Sequence, residues 1–215
     1  MELINYLQSN FYTKQELLEI SKVTETEFSD FQSIGLMPQC SYELELNLQS
    51  NSFFGLHRET QKIEFYAKGY SSWLAIILSL KSPQDIYNLF SERYKSALKT
   101  LYKQGHSANS IKLTSKLNEH IQEEWDHFIN GIYGLCTKSG LPEDIAAKEL
   151  AILEINELLD EENISGDFLE KLIQAVNLLD QVSSEFAPHE RIKSSRHRFI
   201  NEVRRNYKLK SLVGS

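Results

Sequence analysis

The chain has 215 residues, of which 41% are hydrophobic and 25% charged, and it carries a formal net charge of −7. That is apolar material for one substantial core or two small ones; Gly and Pro are sparse and no low-complexity tract or solenoid-length repeat occurs, which excludes disordered and repeat architectures. The longest apolar run, Trp73 to Leu80, falls far short of the roughly 20 residues that cross a bilayer, and Met1-Glu2 opens no basic-then-apolar leader, so a soluble cytoplasmic protein with no membrane partner is expected.

In chain order, a short helix is expected over Glu2 to Leu7. Thr13-Lys14-Gln15-Glu16 then has the Thr-x-x-Glu form in which hydroxyl and carboxylate reciprocally satisfy the free amides of a helix start, and Thr24-Glu25-Thr26-Glu27 repeats it. Phe28, Phe31 and Ile34 share one face of that second helix, which Gly35 stops ahead of Pro38. Tyr42, Leu44, Leu46 and Leu48 alternate with Glu43, Glu45, Asn47 and Gln49, the period of a half-buried strand, and a loop from Asn51 to Gly55 leads to a second strand over Lys62 to Tyr66.

Farther on, Ser82-Pro83-Gln84-Asp85 supplies a cap, a first-turn proline and an acid for a helix carrying Ile86, Leu89, Phe90, Tyr94, Leu98 and Leu101 inward. Gly105 to Ser110 reads as a linker. Helices follow from about Leu113 (Leu117, Ile121, Trp125, Phe128), from Pro142 (Ile145, Ile152, Ile155, Leu159) and around Phe168 to Val182. A last, basic helix is expected from Pro188, with Ile192, Phe199, Val203 and Tyr207 inward. The predicted fold class is mainly α: a winged helix-turn-helix-like module with a β-hairpin over 1–80, then a five-helix bundle over 81–215.

Two resemblances accompany this reading. Tyr12-Thr13-Lys14-Gln15-Glu16-Leu17, the Val23-Thr24 start, the Ile34-Gly35-Leu36-Met37-Pro38 exit and Phe65-Tyr66 leading into the next helix resemble, across roughly residues 11–80, the N-terminal module of MerR-type regulators. The run Gly131-Ile-Tyr-Gly-Leu-Cys-Thr through Glu154-Ile-Asn, with Phe186-Ala-Pro-His-Glu-Arg191, resembles an uncharacterised family of marine-bacterial proteins associated with natural-product biosynthesis. The second resemblance implies a setting in specialised metabolism and carries over no site residue.

A major-groove helix must offer bases to phosphates and base edges. Here the corresponding helix presents Glu25, Glu27, Ser29 and Asp30, the strand after it adds Glu43 and Glu45, and only Lys14, Lys22, Arg58 and Lys62 are basic nearby. The long dimerising helix of MerR-type regulators is also broken at Ser82-Pro83. Specific DNA binding is therefore not expected, although the net charge by segment, −6 over 1–66, −7 over 67–185 and +6 over 186–215, leaves a basic C-terminal segment to meet phosphate or to neutralise the acidic body.

The sharpest polar cluster is His120, Glu124 and His127, spaced 0, +4 and +7 on the border of a helix's apolar stripe. Such a set fits a catalytic acid/base pocket, a metal site completed from Glu149, Glu154, His189 or His197, or a hydrogen-bonded polar rim. No second Glu-x-x-His occurs, so metal and cofactor stay unassigned. Ligand-binding candidates are His57 and Arg58 on the hairpin, with Lys68 and Tyr70 where hairpin and bundle should form a cleft; Trp125 and Tyr133 as walls beside Glu124; and His189 and Arg191 at a helix start. Cys40 and Cys136 form no Cys-x-x-Cys pair; Lys138 could lower the Cys136 thiol pKa, against an incidental buried thiol. The absence of a phosphate-cradling Gly loop, a dinucleotide fingerprint and a nucleophile elbow removes the commonest nucleotide and hydrolase classes. The expected function is an accessory or enzyme-like protein of bacterial natural-product biosynthesis holding a small molecule or partner protein; the alternative is a ligand-sensing regulator of the MerR-like type.

Overall fold

Both Thr-x-x-Glu motifs close as reciprocal caps in a computed structural model that describes residues 2–80, 82–160 and 166–209. Following α1 (Glu2–Asn10) and the three-residue strand β1 (Phe11–Thr13), the Thr13 hydroxyl accepts the Glu16 amide while Glu16 Oε2 accepts the Thr13 amide at 2.8 Å, opening α2 (Lys14–Ser21). Thr24 and Glu27 do the same for α3 (Glu25–Ser33). Lys22, in the left-handed region at φ 55°, makes the tight turn between the two helices.

The hairpin is longer than its hydrophobic pattern predicts. Strand β2 (Tyr42–Ser52) pairs antiparallel with β3 (Gly55–Ala67), and β1 adds to the other side of β3, Phe11 facing Ala67, so the order is β1-β3-β2. Only the root of this sheet is buried: Leu44 and Ile63 pack with Tyr6, Phe11, Phe65 and Ala187. From Asn47 to Lys62 every residue is exposed. Polar cross-strand contacts such as Lys62 to Glu43 (2.9 Å) and Thr60 to Asn47 (2.8 Å) hold the strands together there, and they leave no apolar period to read.

Helix α4 (Tyr70–Leu80) leads to α5 (Pro83–Lys103), started as expected by Ser82, whose hydroxyl accepts the Asp85 amide. Then come a 3₁₀ turn at Ile111–Leu113, α6 (Leu117–Ile129), the unforeseen α7 (Ile132–Cys136), α8 (Pro142–Asp160) and α9 (Gly166–Val182). Trp73 is the hub of the core. Its ring meets Phe90, Trp125 and Phe128 at centroid distances of 6.3, 6.2 and 4.9 Å, and its indole N–H donates to the Leu36 carbonyl. One continuous cluster thereby runs from Leu17 to Leu150, across residue 80, and a second joins α8 and α9 to Phe199, Ile200 and Val203. Gly131 (φ +78°) is needed where α6 turns into α7, because a Cβ there would lie 2.6 Å from the Gln39 carbonyl oxygen.

One expectation is corrected. The basic C-terminal segment is not one helix: a 3₁₀ turn at Arg191–Lys193, a π-helical turn at His197–Asn201 and α10 (Glu202–Tyr207) replace it. Ser194 is extended and its hydroxyl accepts the His197 amide, so it restarts the chain as a cap; Ile192, expected inward, is 80% exposed. The stretch after Gly105 is irregular, as expected, but it is fastened. The His106 ring lies 2.8 Å from Glu154, the Ser107 amide donates to the same carboxylate, and the Asn109 amide donates to Glu157.

Candidate functional site

Helix α6 turns Ile121, Trp125 and Phe128 into the aromatic core, so the residues one position before the first two, His120 and Glu124, fall on the adjoining inward face, toward α5, α7 and α8. Both are buried, with 2% and 4% of their surfaces exposed. The His120 Nδ1 and His127 Nδ1 atoms lie 3.8 and 3.9 Å from Glu124 Oε1, and the Tyr133 hydroxyl of α7 donates to Glu124 Oε2. On its other side His120 Nε2 is 3.3 Å from the Tyr94 hydroxyl of α5 and 4.0 Å from Glu149 of α8, whose carboxylate is 3.8 Å from Lys112 Nζ. His127, half-exposed, is the member that meets solvent.

Burial sets the electrostatics. It pushes the Glu124 carboxyl up to about 7, an effect to which nearby Glu149 adds and which the Tyr133 hydrogen bond opposes. Burial also drives the His120 pKa down, while the tyrosine hydroxyls of Tyr94 and Tyr133 are raised by burial and by the Glu124 charge. The result is a carboxyl that exchanges its proton near neutral pH beside an imidazole held neutral, whose Nδ1 has no hydrogen-bond partner among the described residues.

Tyr94 and Lys112 escaped the sequence reading. A tyrosine on the inward stripe Ile86, Phe90, Tyr94, Leu98 was the available signal, since a buried phenol needs a polar partner. Among the described residues no group of three or more His, Cys, Asp or Glu side chains is placed to hold a metal ion. Glu154 faces His106, and His197 lies 3.7 Å from Glu202, so neither converges on His120.

The remaining candidates are dispersed. His57 and Arg58 lie near the hairpin tip, opposite Ser50 and Gln49; ten residues of strand, ~33 Å, separate His57 from Ala67, so the expected cleft with Lys68 and Tyr70 does not form. Lys68 Nζ donates to the Ser9 carbonyl and lies over the Tyr12 ring, while Tyr70 is fully buried against Phe128. Trp125 serves the core, and the Tyr133 hydroxyl donates to Glu124. His189 is exposed, and Arg191 donates to the Phe186 carbonyl. Cys136 offers its carbonyl to Lys148 at 2.7 Å.

Comparison with known proteins finds a match to a family of unknown function (DUF6058) over residues 86–208, more than half of the chain. The chain belongs to that family. No curated protein and no solved structure matches it. The matched segment contains every member of the network, from Tyr94 through Lys112, His120, Glu124, His127 and Tyr133 to Glu149.

Proposed function

We propose that this member of the family is an accessory or enzyme-like protein that holds a small molecule against the His120, Glu124 and His127 face and exchanges a proton with it. The observation that carries this reading is the enclosed Glu124 carboxyl, poised near neutral pH between two imidazoles of which one reaches solvent. In this reading Glu124 is the general acid or base, His127 carries protons to and from the surface, and Tyr133 and Tyr94 fix the carboxyl and His120. The setting in bacterial natural-product biosynthesis rests on the resemblance of residues 131–156 and 186–191.

We also infer that α2, α3 and the three-stranded sheet are a winged helix-turn-helix of MerR-like form used for contact with a partner protein instead of DNA. The acidity of α3 supports this, because Glu25, Glu27 and Asp30 are exposed and Lys14, the nearest base, already contacts Glu25 (3.0 Å) and Glu64 (3.5 Å). Of the basic C-terminal residues, Arg196 and Arg204 both bind Asp180.

The test is a ligand-observed NMR screen of wild-type protein and Glu124→Gln against small carboxylic acids, amides and phenols. Binders that wild type retains and Glu124→Gln loses, with the His127 ring resonances shifting on binding, are expected. A binder set indifferent to both Glu124 and His127 overturns the reading.

A further inference from the structure

Every residue of the outer hairpin, from Asn47 to Lys62, is exposed. Five residue pairs, from Leu48 opposite Glu59 to Ser52 opposite Gly55, extend ~17 Å as a two-stranded ribbon exposed on both faces. At its end Phe53 and Phe54 are 96% and 95% exposed, their rings packed edge to face, and Leu48 and Leu56 are exposed along the ribbon. A ribbon of two strands is marginally stable in water, and an aromatic pair at its tip is costly to leave wet. Among the described residues no strand pairs with the outer edge of β2, because β2 is the terminal strand of the sheet.

We propose that this arm joins two copies of the chain, with β2 of one copy antiparallel to β2 of the other about a two-fold axis at Leu48. Charge favours a second copy. The chain carries −7, yet no carboxylate lies between Glu45 and Glu59, so like-charged molecules approach most cheaply along this stretch. With Leu48 on the axis, Glu45 faces Asn51 and Glu43 faces Phe53 of the second copy, which keeps the carboxylates apart and continues one sheet over six strands, three from each copy. The pairing joins the outer backbone edges of the two β2 strands in one ladder and brings Phe53 and Phe54 of each copy beside the β2 root of the other. A phospholipid surface is the other occupant that an aromatic tip suits. The arm offers it little charge, since His57 lies 3.3 Å from Glu59 and Arg58 is bonded to Gln49.

Sedimentation velocity of the full chain between about 1 and about 100 μM decides the matter. A dimer forming in that range is expected, with the F53S/F54S double variant and Leu48→Lys each weakening it at least about tenfold while leaving the circular dichroism spectrum unchanged. The variant positions are exposed, so loss of folding does not confuse the result. The proposal is overturned by a wild-type monomer at the highest concentration, by a dimer that both variants retain, or by a monomer that floats with phosphatidylcholine and phosphatidylserine vesicles only when Phe53 and Phe54 are intact.

Discussion

A glutamate that titrates near 4.5 in an unfolded chain and near about 7 in the folded one holds its proton in the folded state through that interval. Stability contributed by the protonated Glu124 is therefore complete below the lower value and is lost as pH rises through the upper one, by of order 3 kcal/mol for a shift of this size. His120 acts in the opposite sense, its depressed pKa withdrawing stability as pH falls below about 6.5. Glu124→Gln retains an acceptor for Tyr133 but cannot ionise. Urea unfolding at about pH 5 and about pH 8 should show wild type losing more stability than Glu124→Gln between the two; equal losses would contradict the assignment. Asp180 illustrates the reverse case. Although burial works against its charge, Arg204 and Arg196 hold its pKa below the ordinary value, and Asp180→Asn leaves two guanidinium groups beside a neutral amide. A loss of about 2–4 kcal/mol at neutral pH is expected from thermal or urea melts, narrowing as the pH falls through the folded Asp180 pKa.

Elements were legible in the sequence where the signal is local. The Thr13/Glu16 and Thr24/Glu27 caps need only four consecutive residues, and both helices begin where those residues place them. Thr24→Ala should cost about 1 kcal/mol in a urea melt, and an unchanged midpoint would show that tertiary packing alone sets the start of α3. Strand β1 was not legible, because three residues acquire their strand character only from Phe65 to Ala67 opposite them. The single C-terminal helix was misread for a related reason: Ser194 interrupts it through its own hydroxyl, while Phe199 and Val203 keep an apolar spacing that matches a continuous helix. In the candidate site the 120, 124, 127 spacing is visible on one helix and Tyr133 beside it is named from the sequence, whereas Tyr94 and Lys112 reach His120 and Glu149 from other elements, a convergence that only the tertiary fold supplies.

For the whole molecule, the charge pattern predicts no sequence-dependent duplex binding in roughly 0.15 M salt, since α3 is acidic and Arg196 and Arg204 are engaged by Asp180. Fluorescence anisotropy with random and palindromic duplexes checks this, and sub-micromolar sequence-dependent affinity refutes it. The position of Trp73 has a wider consequence. The family segment begins at Ile86, yet its aromatic residues Phe90, Trp125 and Phe128 close around an indole that precedes it. The inherited unit and the cooperative unit therefore do not coincide: amide hydrogens of α3, α4 and α6 should exchange through one shared global opening, and a fragment begun at Ile86 should show the exposed-surface dye binding of a molten state even though its family segment is intact.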